Sequence, residues 1–238
     1  MTRFPVTCVH QIELTSRCNL RCPYCVHPKM PRAKADMEWE TFTKAIGWAA
    51  EFQRRGTQGE LNLAGIGEST MHPRFLDMLT YARATLGRRQ ELTLTTNGLL
   101  VDEAMAWSMA IASGDAPLRV FVSLHRPERA KRAVDALRKH GLLVGVSTDP
   151  ATAAVDWAGQ VDWQVTAQRG RPCPWVRGGW VMVMSDGRLT RCCFDGSGIG
   201  VLGHVNDDVP ALQTSAYRLC RTCDQNPGVS GAWEEDAA

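Results

Sequence analysis

The chain has 238 residues, 44% of them hydrophobic, and 27 basic against 25 acidic side chains give a formal net charge of +2. This composition supports a sizeable buried core and argues against global disorder, while the charge argues neither for nor against a nucleic-acid partner. No apolar run approaches the roughly 18–20 residues that a membrane helix needs, and the N-terminus lacks the apolar segment of a signal peptide. The sequence therefore predicts a soluble, cytoplasmic protein without a membrane partner.

Short apolar strands alternate with amphipathic helices along the first two thirds of the chain. The predicted strands are residues 11–15, 61–64, 92–95, 120–123, 142–146 and 161–165. Helices are predicted at 37–54 with Asp36 as N-cap, from Pro73 onward, at 102–112 and between 126 and 141. Such alternation indicates a parallel sheet with right-handed crossovers. Six units are too few for a closed eight-stranded barrel, so we predict an α/β fold, a partial (β/α)6 TIM-like barrel over residues 1–168.

The character of the sequence changes near residue 169. Residues 180–184, a turn at 185–187 and residues 189–191 predict a β-hairpin. The tail from Phe194 onward is rich in loop-forming residues. We therefore predict a small, hairpin-containing second domain over residues 169–238.

Nine cysteines are distributed in a way that indicates metal sites. Cys18, Cys22 and Cys25 lie close together, none of residues 26–172 is a cysteine, and Cys8 stands alone. The other five fall near the end of the chain: Cys173, Cys192, Cys193, Cys220 and Cys223. In a reducing compartment such sets bind metals more often than they form disulfides. Two separate metal sites are the simplest interpretation.

The first group has the spacing C-x3-C-x2-C directly after a predicted strand. Three cysteines do not complete a structural zinc site, which takes four ligands. A cubane iron–sulfur cluster held by three cysteines leaves one iron open to bind another molecule. The alternative is a loop whose cysteines are merely buried.

With Tyr24 before its last cysteine, this spacing resembles the signature of the radical S-adenosylmethionine (SAM) superfamily. The resemblance implies that Cys18, Cys22 and Cys25 bind three irons of a 4Fe–4S cluster, and that the amine and carboxylate of SAM bind the fourth. It implies that an electron, from an external donor such as flavodoxin or ferredoxin, cleaves SAM to methionine and a 5′-deoxyadenosyl radical. That radical would abstract hydrogen from the substrate.

The segment after the second predicted strand resembles the family's Gly-Gly-Glu-Pro motif. Here it reads Gly65-Ile66-Gly67-Glu68-Ser69, so a residue separates the glycines and serine replaces proline. Gly65 and Gly67 would let the backbone approach SAM, and the Glu68 carboxylate would accept a hydrogen bond from its ammonium group.

Three further candidates follow from the resemblance or from position at a strand end. Tyr24 matches a position whose backbone meets the adenine, or it packs beneath the loop. Ser123, ending the fourth strand, matches a ribose-contacting residue, or it is a strand-end hydroxyl bonded locally. Asn97, ending the third strand, faces the site or simply forms a turn with Gly98.

No catalytic residue is assigned from the sequence. His27, His72 and His125 lie near predicted strand ends, close enough to reach a substrate there. For each of them we predict a surface or satisfied-core role.

The second group of cysteines resembles the auxiliary-cluster domains called SPASM and twitch. Thirteen residues separate Cys173 from Gly187, four more precede Cys192, and Cys220-x2-Cys223 follows. Four cysteines are too few for the two clusters of a SPASM domain, which favours a twitch domain. The resemblance implies a second, auxiliary 4Fe–4S cluster bound by Cys173, Cys192, Cys220 and Cys223.

Other readings of this second site stay open. A structural zinc ion is an alternative occupant. Cys193 is an alternative to Cys192, although only Cys192 has the family spacing. We predict that Cys8 and Cys193 are ordinary buried thiols.

Together these features predict a radical SAM oxidoreductase or isomerase that oxidises or rearranges a small-molecule substrate. The alternatives are a peptide-modifying enzyme, a nucleoside- or nucleobase-modifying enzyme with a nucleic-acid substrate, and a protein without chemistry: an iron–sulfur electron carrier or a zinc-stabilised binding module. Because the cysteine motif begins at residue 18, we expect no peptide-recognition domain before it; a separate partner would have to deliver a peptide.

Overall fold

The computed structural model describes residues 3–116, 118–147, 156–163, 173–208 and 212–223. The strands in chain order are β1 Phe4–Pro5, β2 Cys8–Ile12, β3 Leu61–Asn62, β4 Leu92–Thr96, β5 Arg119–Ser123, β6 Leu143–Ser147, β7 Trp180–Val183, β8 Arg188–Thr190, β9 Val201–His204 and β10 Gln213–Thr214. The helices are α1 Trp39–Arg54, α2 Phe75–Leu86, α3 Glu103–Ser113, α4 Pro127–Lys139 and α5 Pro174–Gly178. Short 3-10 helices lie at His27–Lys29, Ser69–Met71 and Arg218–Arg221.

The main sheet has eight strands in the order β6-β5-β4-β3-β2-β7-β8-β9. From β2 to β6 each strand pairs in parallel with the next one along the chain. Helices α1 to α4 lie between these strands in sequence, as crossovers of a parallel sheet require. The predicted α/β class and the partial-barrel core are confirmed.

The strand predicted at residues 161–165 is absent from its described part. Residues 156–161 form a turn, with positive φ at Trp157, Ala158 and Gly159, closed by a hydrogen bond from the Val161 amide to the Asp156 carbonyl. Because the Val161 amide donates its hydrogen bond within this turn, it is not used in the hydrogen bonding of a β-sheet. Gln164 and Val165 lie outside the described residues. The sheet instead gains a parallel strand on its other side, where β7 pairs with β2.

The predicted hairpin is confirmed. Strands β7 and β8 are antiparallel, and the turn between them places Gly187 at φ 86°, which favours glycine. Strand β9 then pairs antiparallel with β8. Because β7 also pairs with β2, the hairpin continues the barrel sheet. The predicted domain boundary at residues 168–169 lies outside the described residues.

The largest apolar core lies between the parallel sheet and α1 to α4. On α1 the predicted apolar face is buried, including Phe42 and Ile46, which are fully inaccessible to water. The N-cap prediction was wrong: α1 begins after Glu38, and Asp36 instead pairs with Arg17 and accepts from the Thr15 hydroxyl. No helix in the described ranges is long and apolar enough to cross a membrane.

Candidate functional site

A cavity of about 350 Å³ opens where β4, β5 and β6 end, on the side where parallel strands of a barrel present functional residues. All the residues predicted for the first site line it: Cys18, Cys22, Tyr24, Cys25, Gly65, Gly67, Glu68, Asn97 and Ser123. The sequence did not single out Thr95, Thr96, Ser147 and Trp157, which also line it. Thr95, Thr96 and Ser147 sit at or near strand ends, so strand-end position was the signal that could have identified them.

The cysteine loop holds three half-buried thiols against one wall of the cavity. Backbone amides fold back on the sulfurs, from Leu20 to Cys18 Sγ and from His27 to Cys25 Sγ, both at 3.4 Å. Burial raises the pKa of Cys25 to about 11, and the nearby Cys22 and Cys18 thiolates add to the rise. Because the thiolate is the form that binds metal, a cation held by this loop would favour loss of these thiol protons.

The donor set predicted for this loop consists of sulfur alone. Among the described residues no three His, Cys, Asp or Glu side chains are grouped to hold a single ion. An iron–sulfur cluster is held by thiolates alone and spreads them over several irons. A sulfur-only set of this kind therefore suits a cluster.

Glu68 is 3% exposed and ties two strand ends together. Its Oε1 accepts from the hydroxyls of Thr70 and Thr96, each at 2.7 Å, and its Oε2 accepts from the Asn97 amide at 2.7 Å. A carboxylate oxygen has two lone pairs, so Oε2 can accept a second donor from the cavity. The Glu68 carboxylate thus stabilises the fold and also offers a hydrogen-bond acceptor to the cavity.

The two glycines of this segment lie against the chain that leads into the cysteine loop. A Cβ on Gly65 would overlap the Glu13 side chain, and a Cβ on Gly67 would lie 2.5 Å from the Arg17 carbonyl oxygen. The sequence analysis predicts that both glycines allow the backbone to approach a ligand closely. In the structure, Gly65 is required for close packing against the Glu13 side chain, and Gly67 for close packing of backbone on backbone.

Tyr24 is held from several directions at the cavity wall. Its hydroxyl lies 2.8 Å from His125 Nδ1, its ring packs on that of Trp163, and its carbonyl accepts from Trp157 Nε1 at 2.9 Å. Burial, with a smaller contribution from Arg126, lowers the pKa of His125. A neutral imidazole therefore faces the cavity beside Tyr24.

Asn97 and Ser123 occupy different environments. Asn97 is buried; its Nδ2 donates to Asn19 Oδ1 at 2.7 Å and its Oδ1 accepts from the Leu99 amide. It therefore fixes the cysteine loop to the turn after β4. Ser123 pairs in register with Ser147, so two hydroxyl-bearing residues end β5 and β6 side by side at the cavity.

Two of the three histidines are buried, as the predicted core role requires. His72 has Nε2 near the Met37 carbonyl and Nδ1 accepting from the Arg74 amide, and His27 has Nε2 3.1 Å from the Ser16 carbonyl oxygen. His27 and His125 also line the cavity. Both follow strand or loop ends at the sheet edge, where a histidine faces the opening.

Three of the four cysteines predicted for the second site, Cys192, Cys220 and Cys223, pack in one apolar cluster, and Cys173 packs in a neighbouring one. Cys192 and Cys223 pack against the buried cluster of Tyr217 and Cys220. Burial raises the pKa of Cys220 to about 12, and the nearby Cys192 and Cys173 thiolates contribute. The fully buried Asp195 shapes the intervening loop by accepting from the Thr190 hydroxyl and the Ile199 and Gly200 amides.

The two remaining cysteines differ from each other. Cys8 is 1% exposed within β2, where burial raises its pKa, as an ordinary buried thiol would behave. Cys193 lies at the second site: like Cys173 it packs against the cluster of Trp175, Met182 and Met184, and its hydrogen bond to Cys192 is the largest cause of the raised pKa of Cys192. It is therefore a neighbour of the predicted ligands.

Comparisons with known proteins agree with this geometry. The family model described as the Radical SAM superfamily matches residues 12–150. The tungsten-containing aldehyde ferredoxin oxidoreductase cofactor-modifying protein of Pyrococcus furiosus is 36% identical over 42% of this chain and 26% of its own length. The PqqA peptide cyclase of Granulibacter bethesdensis is 36% identical over 39% of this chain and 23% of its own length. The chain thus spans about a quarter of each of these relatives.

A solved structure extends the likeness over most of the fold. BtrN, in complex with AdoMet and 2-DOIA, superposes with a TM-score of 0.67 over 84% of this chain and 78% of its own, at 15% identity. At that identity the likeness shows the fold alone. The family match covers more than half of the chain and contains all three cysteines of the first site. This chain belongs to the Radical SAM superfamily, whose members are enzymes that catalyse radical reactions.

Proposed function

We propose that the protein binds a 4Fe–4S cluster through Cys18, Cys22 and Cys25 and SAM in the adjoining cavity, and oxidises or rearranges a small-molecule substrate there. The observation that carries this proposal is the placement of three thiols and the buried Glu68 carboxylate around one cavity at the strand ends. When bound together, the cluster and SAM supply hydrogen-atom abstraction.

In this proposal the side chains of the cavity bind, orient and exclude water. The free lone pair of Glu68 Oε2 accepts from the SAM ammonium, which orients the amino acid end toward the cysteine loop. Ser123 offers a hydroxyl to the ribose. Tyr24, held through its carbonyl by Trp157, keeps the cysteine loop rigid beside the adenine. Trp157 and His125 cover the cavity on that side and limit access of water.

We further infer that Cys173, Cys192, Cys220 and Cys223 hold an auxiliary 4Fe–4S cluster, as in a twitch domain. Support comes from the packing of Cys192 and Cys223 beside Cys220 and from the electrostatic effects that link Cys173, Cys192 and Cys220. A zinc ion is the competing occupant, since four thiolates also suit zinc. Metal analysis separates the two occupants.

The test is anaerobic reconstitution with iron and sulfide, followed by metal analysis and a SAM turnover assay. We expect about eight irons with matching sulfide, and about four after Cys18, Cys22 and Cys25 are replaced together by Ala. The matched control Cys8→Ala should keep all of them, because Cys8 is buried in β2. Release of 5′-deoxyadenosine distinguishes the enzyme from an electron carrier; its absence in fully loaded protein would contradict the proposal, and stoichiometric zinc would contradict the auxiliary cluster.

A peptide is the second candidate substrate, because the relatives include a PqqA peptide cyclase. A nucleoside or nucleobase substrate, and flavodoxin or ferredoxin as the external electron donor, remain predictions from the family resemblance. Mass spectrometry of products formed from a small-molecule, a peptide and a nucleoside set, with each donor in turn, distinguishes these possibilities. Deuterium transfer from one class into 5′-deoxyadenosine identifies the substrate.

A further inference from the structure

A buried ion pair lies between the two cysteine sites. Glu13 directly follows β2 and is 0% exposed, and the side chain of Arg32 is 7% exposed. Arg32 Nη2 donates to both carboxylate oxygens at 2.7 Å. Removing two charges from water is costly, so such a pair persists where further hydrogen bonds complete it.

The carboxylate holds the SAM-side segment and the hairpin together. Glu13 Oε1 accepts from the Ile66 amide at 3.1 Å, between the two glycines, and Gly65 has no room for a Cβ beside Glu13. Glu13 Oε2 accepts from the Ser185 amide at 3.0 Å. One side chain therefore fixes both the segment that leads to Glu68 and the turn between β7 and β8.

The guanidinium reaches the loop that follows Cys192. Arg32 Nε donates to the Gly196 carbonyl at 2.5 Å, in the loop that follows Cys192, and Nη1 donates to the Ser185 hydroxyl at 3.2 Å. A guanidinium presents its donors in a rigid planar fork. Movement of Gly196 or Ser185 must therefore rotate the Arg32 guanidinium. The Glu13 carboxylate, which accepts from that guanidinium, must then move as well.

We propose that Glu13 and Arg32 are positioning residues that couple the two sites, so that an occupied auxiliary site tightens SAM binding. This inference rests on the proposed function, because it requires SAM in the cavity. A ligand held by Cys192 and its neighbours fixes the loop carrying Gly196, which fixes Arg32 and then the Glu13 contact to Ile66. Coupling between sites is reciprocal, so SAM should also stabilise the auxiliary cluster.

The test compares SAM dissociation constants of anaerobically reconstituted protein with and without the auxiliary ligands. In the otherwise wild-type chain, Cys220→Ala with Cys223→Ala should weaken SAM binding about fivefold or more, in the usual range of coupling between sites. In a Glu13→Gln, Arg32→Met background the same cysteine changes should alter the SAM dissociation constant less than about twofold. This background removes both charges, so no isolated buried charge is left to unfold the protein.

Two controls separate coupling from loss of stability. Arg83→Met removes another buried arginine, one that caps α2 by bonding the Gly87 carbonyl, and should keep the fivefold effect. Gln160→Ala removes a second connection between the sites, the 2.8 Å bond to the Phe194 carbonyl, and should keep it too. Thermal unfolding and iron content are measured for every variant.

Each outcome is decisive. Equal weakening in the charge-free background and in the wild type would overturn the coupling role of the pair. Equal SAM affinity with and without Cys220 and Cys223 would overturn the coupling itself, while the proposed function would stand. A fully loaded wild-type protein that binds no SAM would overturn both.

Discussion

The sharpest prediction concerns Glu68→Gln, because the contacts of this side chain set the size of the effect. Glutamine keeps one acceptor oxygen, which can still receive the Thr70 and Thr96 hydroxyls. Its amide nitrogen then faces the Asn97 N–H, so a buried hydrogen bond to a charged group is lost. Such a bond contributes roughly 1.5–3 kcal/mol. We therefore expect the melting temperature to fall by roughly 3–12 °C for a chain of this size.

The same change should weaken SAM binding about tenfold to a hundredfold, because the charged acceptor for the ammonium is lost. Iron content should stay unchanged, since Glu68 is not a cluster ligand. Equilibrium dialysis of anaerobically reconstituted protein measures the affinity, and metal analysis measures the iron. The matched control is Glu60→Gln, whose carboxylate accepts from the Thr93 hydroxyl between the same two strands but does not line the cavity. If folded, fully loaded Glu68→Gln bound SAM as the wild type does, the assignment of Glu68 to the SAM ammonium would be wrong.

Three other outcomes are expected. The variant Cys220→Ala with Cys223→Ala should still form 5′-deoxyadenosine at saturating SAM but should form no product. Both compounds are measured side by side with deuterated substrate. Normal product yield in the folded variant would refute a role for the auxiliary site in the reaction. Gly67→Ala should lower iron loading and the melting temperature, because the added Cβ would meet backbone carbonyls. The control Gly59→Ala should change neither, because the added Cβ would lie in open space. Equal iron loading of the two variants in metal analysis would refute the packing argument. Alkylation of Cys25 in the metal-free protein should keep accelerating up to about pH 11, because burial raises its pKa, and a plateau at pH 9 by mass spectrometry would contradict this.

The sequence predicted the α/β fold correctly, and the residues it selected for the first site lie around one cavity. Spacing marked Cys18, Cys22 and Cys25, and the family resemblance together with strand-end position marked Glu68 and Ser123. Each signal lies in a short stretch of sequence. A parallel sheet brings the ends of successive strands to one edge, so the residues marked in this way come together.

What the sequence did not reveal depends on contacts between distant segments. The strand predicted at residues 161–165 starts where the turn at residues 156–161 ends, and nothing in the local sequence indicates the positive φ of Trp157 and Ala158. The pairing of β7 with β2 joins residues more than 170 positions apart. Glu13 and Arg32 look like ordinary charged residues until the fold buries them together.

The parallel pairing of β2 with β7 has a consequence for synthesis of the chain. Strand β2 leaves the ribosome long before its partner on one side, because the paired residues 180–183 are made more than 170 positions later. Until then the nascent sheet carries an open edge on a strand that leads straight into the cysteine loop, and such edges invite aggregation. Long-range pairing of this kind is slow to form. Chaperone binding to the nascent chain would therefore protect β2 during the interval in which the iron-binding loop is also exposed.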